Sequence, residues 1–368
     1  MNRQRVTYAL AAPVVAAILA VAVSSLALWI SGHSPGTAFR AMGSYVWTRE
    51  SLVTIVNRAV PYYISALAVA IGFRMGLFNI GTDGQYRLAA LLAAAAGAAV
   101  HLPAVIHVAF ILLVALAVGA GYAAIPGVLK VTRGVNEVIA TIMLNSIATG
   151  ITAYLVVTKA FRDPKEKLLA QTKPIPKSGH IPDLMHFSHG TPLRGWLVAA
   201  IVIGVLFYVL LFRTRFGYEV RASGINPAAA LTSGVNPKAM VVKTIMISGA
   251  VAAMAGMGPL LTEQFAYGDL FPTALGFTGI GIALLGRNHP AGVAAAAFVW
   301  AGIERATQNL NKVNAPQEIS KILIGTLLMS SVVAYEITRR RAQAATIREA
   351  AARAAARVSP ATAREATA

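Results

Sequence analysis

Apolar residues fall along this chain in long runs broken by short polar turns. They show neither the two-residue alternation of half-buried strands nor the narrow stripe of a helix on a soluble core. The runs Val14 to Ile30, Leu88 to Val100 and Val105 to Val118 approach the ~20 apolar residues that a helix needs to cross a bilayer. The pattern predicts ten spans, at residues 8–30, 52–73, 85–101, 104–126, 136–157, 195–213, 240–261, 273–286, 290–308 and 318–337. The eighth is the shortest. The predicted fold is therefore all-α: a polytopic membrane protein of about ten transmembrane helices.

Composition strengthens this reading. Of 368 residues, 57% are hydrophobic and 12% charged, where a soluble domain carries about 25% charged residues. With no cysteine, a disulfide framework, a thiolate metal site and a redox thiol are all excluded. The first apolar stretch is longer than the ~7–15 residues of a signal-peptide core, so it reads as an uncleaved span.

The net charge of +18 suggests a nucleic-acid partner until the positions are read. Basic residues sit between apolar segments and at the ends, which is the positive-inside pattern rather than a binding stripe. Alternating sides from a cytoplasmic N-terminus places six groups inside: Arg3 and Arg5; Arg74; Lys130 and Arg133; Arg213, Arg215, Arg221 and Lys238; Arg287; and Arg339 to Arg341. Both termini are then cytoplasmic. Residues 158–194 fall outside although they hold seven Lys and Arg, diluted by Asp163, Glu166 and Asp183; the rule is weakest for longer loops. The expected organisation is a transmembrane domain over 1–337, with a cytoplasmic loop at 214–239 and an extracytoplasmic loop at 158–194. A basic Ala/Arg-rich tail follows at 338–368, frayed or disordered, with no assigned function.

Two stretches share a plan: "GLFNIGTDGQYRLAALLAAAAG" (76–97) and "IALLGRNHPAGVAAAAFVWAG" (282–302). Each has an apolar helix end, a polar Gly-containing turn and a small-residue helix, the form of a distant internal repeat.

Several chemistries lack their residues. No G-x-x-x-x-G-K-[ST] cradles a nucleotide phosphate and no H-E-x-x-H holds zinc. His180, His186 and His189 share one loop without a cysteine or dedicated acidic partner, so no metal site is assigned. Acidic residues deep in the spans, which an ion-coupled carrier needs, are scarce. Glu137, Glu318 and Glu336 lie at span ends, and Glu304 adjoins Arg305.

Two polar constellations remain. Glu137, Thr141, Asn145 and Thr149 recur every four residues, with Thr152 following, and so share one helical face. That face either lines a route for a polar, uncharged solute or makes interhelical hydrogen bonds, the ordinary use of Thr and Asn in bilayers. In "FNIGTDGQ" (78–85), Thr82 and Gln85 fit a capping box, and the Gly81 and Gly84 backbones permit close approach. Asn79, Asp83 and Gln85 make this stretch more polar than an interface requires, which again leaves a pathway beside a plain helix start. Ser248, Ala252 and Gly256, with Gly249 and Ala253, follow the small-residue spacing of close helix packing.

One segment does not fit a span. "RASGINPAAALTSGVNP" (221–237) predicts a short capped helix: Asn226 as N-cap, Pro227 at the first helical position and Gly234 left-handed at the end. It is far below the ~12–15 residues at which an isolated helix becomes marginal, so it must rest on something.

The chain resembles the membrane-spanning permease subunits of ATP-binding-cassette (ABC) importers. Within them it is similar to the group for branched-chain amino acids and simple sugars, and to its nucleoside-type branch. The resemblance runs from about Leu52 to Tyr335. It is carried by "FRMGLFNIGTDGQ" (73–85), "GVNEVIATIMLNSIA" (134–148), "RASGINPAAALTSGVNPKAMVVKTIMISGAVAAMAG" (221–256) and "GFTGIGIALLGRNHPAG" (276–292). It implies that the short helix is a coupling helix, with Arg221, Asn226, Pro227, Ala228, Ala229 and Gly234 meeting a separate ATP-binding subunit. ATP and Mg²⁺ then belong to that partner, and this chain is not an enzyme. Asn79, Asp83, Gln85, Glu137, Thr141, Asn145 and Thr149 become the candidate pathway. The resemblance also implies a second, related permease chain, an extracytoplasmic solute-binding protein, a lipid environment, no nucleic acid, and a bacterial plasma (inner) membrane. The expected solute is a nucleoside, with a simple sugar or another small solute, or an ion-coupled secondary carrier, as the alternatives.

Overall fold

The computed structural model describes residues 3–187, 190–331, 333 and 337. The tail 338–368, the cluster Arg339 to Arg341, Glu336 and His189 lie outside them. The described residues are helical, with isolated β-bridges and no strands. In chain order the helices are α1 (Arg3–Ile30), α2 (Pro35–Val46), α3 (Arg49–Arg74), α4 (Thr82–Ala99), α5 (Ala104–Arg133) and α6 (Glu137–Val157). Then come α7 (Trp196–Arg213), α8 (Arg215–Ile225), α9 (Pro227–Thr232), α10 (Pro237–Pro259), α11 (Leu275–Leu285), α12 (Pro290–Thr307) and α13 (Ile319–Ser331). A π-helical turn, Leu260–Gln264, continues α10.

Among the described residues, five helices are long and apolar enough to cross a membrane: α3, α5, α6, α7 and α10 with its π-helical turn. The count of ten is not reached on those criteria. The stretch over 273–286 is a helix of only 11 residues, rising about 16 Å against a ~30 Å hydrocarbon core. It is half a span. The sequence reading also missed α2 and α8, whose moderate hydrophobicity gave no long apolar run.

The chain divides into two compact units, one over 43–306 and a smaller one joining 1–42 with 307–368. Within the smaller unit, His33 Nε2 is 2.8 Å from the Asn314 carbonyl and Asn309 Nδ2 donates to the Ala41 carbonyl at 2.6 Å.

In the larger unit α10 is central, packed against α5, α3 and α4, while α11 lies on α3. Small residues permit this. Gly119 of α5 faces Gly249 of α10, where a Cβ on either would collide with the other's carbonyl, and Ala123 and Ala253 border the contact. In a bilayer no hydrophobic force draws helices together, so such close approach, with its dispersion contacts, holds them. The spacing at 248–256 thus carries packing. Helix ends follow local chemistry: Gly134 at φ +68° closes α5, and Asn136 caps α6 by accepting from Val138 N at 2.8 Å.

Candidate functional site: a short capped helix, a polar joint and a half-helix

α9 is built as its residues predict. Asn226 Oδ1 accepts from Ala228 N and Ala229 N, both at 3.1 Å; Pro227 opens the helix; Gly234 follows it at φ +80°. It rests through buried Ala230 on a cluster that includes Val220, Val235 and Met240. The opposite side is open: Pro227, Ala228 and Ala229 are exposed, as are Leu231 and, just before the helix, Ile225. Arg221 behaves differently. It lies on α8, half-buried, donates to the Leu211 carbonyl and stands 5.8 Å from the Phe212 ring. The structure therefore brings Asn226, Pro227, Ala228, Ala229 and Gly234 together and places Arg221 on another face.

Between α4 and α6 lies a polar joint. Asn79 and Gln85 exchange two amide hydrogen bonds of 3.0 Å, and Asn79 Nδ2 also donates to Ser248 Oγ at 2.9 Å. Asn145 of α6 makes two bonds at the start of α4: Oδ1 accepts from Gly84 N at 2.8 Å, and Nδ2 donates to the carbonyl of Ile80, just before the helix, at 2.8 Å. Gly84 leaves the room, since a Cβ there would stand 2.9 Å from the Ala148 Cβ. Thr141 donates to the Glu137 carbonyl at 2.7 Å, and Glu137 pairs with Lys130 at 2.6 Å. Asn79, Gln85, Thr141 and Asn145 are buried with protein partners. Such satisfaction is what polar groups in an apolar surrounding require.

Asp83 has a separate role. Its Oδ1 accepts from Gly276 N, at the start of α11, at 3.3 Å. Ala274 turns the chain at φ 62° just before that helix, and Ser65 Oγ donates to the Leu275 carbonyl at 2.8 Å. A carboxylate from α4 thus faces the N-terminus of a half-length helix, where orphan N–H groups and the helix dipole favour negative charge. Broken helices of this kind are tolerated within membranes where protein or a water-filled cavity surrounds the freed backbone.

Beside this break the structure assembles residues that the sequence did not mark. Tyr267 lies 4.8 Å from Phe271, ring to ring, and Phe271 6.5 Å from Tyr86. Tyr86 Oη donates to the Pro272 carbonyl at 2.8 Å. Arg87 Nε donates to Tyr267 Oη at 3.4 Å and Nη1 to Thr149 Oγ1 at 3.2 Å. Arg87 is half-buried and Thr149 exposed. Arg87 was legible only as one charge within an apolar run; its neighbours come from segments far along the chain. A cavity of about 480 Å³ abuts this break through Pro272 and Leu275 and is lined also by Asn57, Arg58, Arg194, Trp196 and Glu263. That is within the usual range of small-molecule sites, ~300–1,000 Å³. His180, by contrast, stacks on Phe265 at 3.7 Å and bonds the Ile175 carbonyl, a structural use.

Apolar spans, a buried joint, a helix broken at half length and an exposed capped helix define a polytopic membrane permease. Residues 51–332 match the family described as branched-chain amino acid transport system / permease component, and the chain belongs to it. It is 32% identical to the guanosine ABC transporter permease protein NupP of Bacillus subtilis, over 88% of this chain and 93% of that one. The glucose ABC transporter permease protein TsgB13 of Haloferax volcanii is also 32% identical, over 78% of each chain. A second guanosine ABC transporter permease protein of B. subtilis, NupQ, is 27% identical over 66% of this chain and 76% of that one.

Proposed function

We propose that this chain is a pore-forming subunit of an ATP-driven ABC importer, carrying a nucleoside across a bacterial plasma membrane while a separate subunit hydrolyses ATP. The observation that carries this reading is the exposed face of α9. A six-residue helix with its own cap and with Ala228 and Ala229 turned to solvent is suited to a groove on another protein. Family membership supports an ATP-binding partner and an extracytoplasmic solute-binding protein. That NupP and NupQ belong to one organism supports a second, related permease chain.

The solute route runs past the break before α11. A half-buried guanidinium facing lipid would be costly, so the Arg87–Thr149 face borders water or another protein chain. A second permease placed against it would close a channel between the two subunits. Asp83 and the joint of Asn79, Gln85, Glu137, Thr141 and Asn145 then hold the wall, and Thr149 with Arg87 touches the solute. The name of TsgB13 favours a second reading, a simple sugar.

Paired Ala228→Arg and Ala229→Arg substitutions test the docking. Normal membrane insertion is expected, with less co-purifying ATP-binding subunit and loss of labelled-nucleoside uptake. Wild-type co-purification and uptake would refute the docking role. Cells lacking this chain that import nucleosides normally but lose glucose uptake would replace the nucleoside reading with the sugar one.

A further inference from the structure

We propose that the larger unit carries a specific site for an anionic phospholipid, with an acyl chain in a groove between α3, α7 and α12 and the headgroup phosphate at a cluster of arginines at its end. The groove holds about 510 Å³. Its lining is almost wholly apolar, including Ile201, Val205, Ala294 and Phe298, all exposed. At its floor Gly204 lets Tyr63 of α3 pack directly on α7, because a Cβ there would collide with Tyr63 Oη.

The groove ends at Tyr208 and His289, and these two residues join it to the basic cluster. Tyr208 stacks on Phe212 at 5.3 Å, and His289 lies 5.9 Å from Phe212 and 6.4 Å from Tyr208, ring to ring. Around these rings stand three guanidinium groups: Arg74 at 4.8 Å and Arg221 at 5.8 Å from Phe212, and Arg213 at 5.8 Å from Tyr208. Among the described residues none of the three has a carboxylate within ion-pair distance.

Arg74 is held in place by Nη2 donating to the Asn288 carbonyl at 2.8 Å, yet its buried Nε has no acceptor. The Asn288 side-chain oxygen is likewise buried without a partner. Three cations gathered on aromatic faces, with an orphaned donor and no counter-charge, need an anion. An apolar track leading into them says which. A free phosphate would have no use for the groove, and a zwitterionic lipid would bring its own cation against the arginines. A phosphate diester such as phosphatidylglycerol satisfies both ends. Basic pockets between membrane helices on the cytoplasmic side bind such headgroups. The placement of this end at the cytoplasmic leaflet rests on the docking of α9 to an ATP-binding subunit read under Proposed function; the lipid site itself is read without transport.

The full chain with its partner subunits is reconstituted in nanodiscs of equimolar palmitoyl-oleoyl phosphatidylcholine and phosphatidylglycerol, extracted in detergent and analysed for retained lipid. Phosphatidylglycerol should be retained over phosphatidylcholine by roughly tenfold. Arg213→Gln, at an exposed position, should lower this preference, and Arg74→Gln with Arg213→Gln should abolish it. Ala294→Trp, which fills the groove and leaves the arginines intact, should also abolish retention. Equal retention of the two lipids by the wild type, or an unchanged preference in the double variant, would overturn the site. Thermal stabilisation by glycerol 3-phosphate as large as that by phosphatidylglycerol would show a free-phosphate site instead. Unchanged lipid retention with loss of the ATP-binding subunit in the double variant would show that the arginines face that protein. A failure of nucleoside uptake with the lipid preference intact would count against the transport reading alone.

Discussion

Two short helices, neither able to cross a bilayer, do opposite things in this molecule. α9 is capped by Asn226, two and three residues before the amides it serves, and turns Ala228 and Ala229 to solvent. α11 meets its anion in Asp83, 193 residues away in sequence, and is buried at its start. The first is a local device, shaped by its own sequence and open to a partner. The second exists only because α4 brings a carboxylate to it. A locally capped helix can dock and release without disturbing the fold, whereas a remotely held one ties the break in the wall to the joint beside it.

The comparison is broken most forcefully at Asp83. Asp83→Ala leaves the Gly276 amide buried without an acceptor, and the loss should be about 3 kcal/mol, the upper range for an orphaned buried donor. Thermal unfolding of the purified chain in detergent should show it, and Asp83→Asn, which can still accept, should recover part. An unchanged midpoint for Asp83→Ala would mean that α11 does not depend on its remote anion.

Asn145→Leu comes next. It removes both of its bonds from α6, to Gly84 N in α4 and to the Ile80 carbonyl just before that helix, and should cost about 2 kcal/mol at ~1 kcal/mol each. The same unfolding measurement reads it, beside uptake. Lost uptake at wild-type stability would assign Asn145 to the solute instead of the joint.

The smallest effect belongs to the local helix. Asn226→Ala removes a cap worth ~1 kcal/mol from a helix that rests on the core through one buried alanine. Global stability should stay at the wild-type level, while hydrogen exchange at the Ala228 and Ala229 amides rises and co-purification of the ATP-binding subunit falls. A global destabilisation as large as that of Asn145→Leu would erase the distinction between the two helices.

What could be read directly followed from short-range chemistry. The apolar runs placed the long helices because burying or immersing a span in lipid needs only its own residues to be apolar. The α9 stretch announced its cap, its proline and its left-handed glycine because these interactions stay within a few residues. The family pattern at 73–85, 134–148, 221–256 and 276–292 pointed to the permease. Gly249 and Ala253 showed that something packs closely against them. That the something is Gly119 and Ala123 of α5 could not be seen, since spacing on one helix carries no information about its partner.

Hydropathy alone made residues 273–286 a span, because it counts apolar residues and cannot see that the chain turns at Ala274. The four-residue stripe on α6 was visible as a face, but a face in sequence does not say whether solute or protein fills it. In the structure Asn145 is occupied by the backbone at the start of α4 and just before it, Thr149 is met by Arg87, and Arg221 turns from α9 to Phe212. The sequence by itself determined a helical membrane permease with a locally capped short helix, since lipid burial and capping are decided within one segment. Only the tertiary structure decided that α11 stops at half length on Asp83 and that Arg87 meets Tyr267 and Thr149, because the pairing of buried polar groups depends on which distant segments fold side by side.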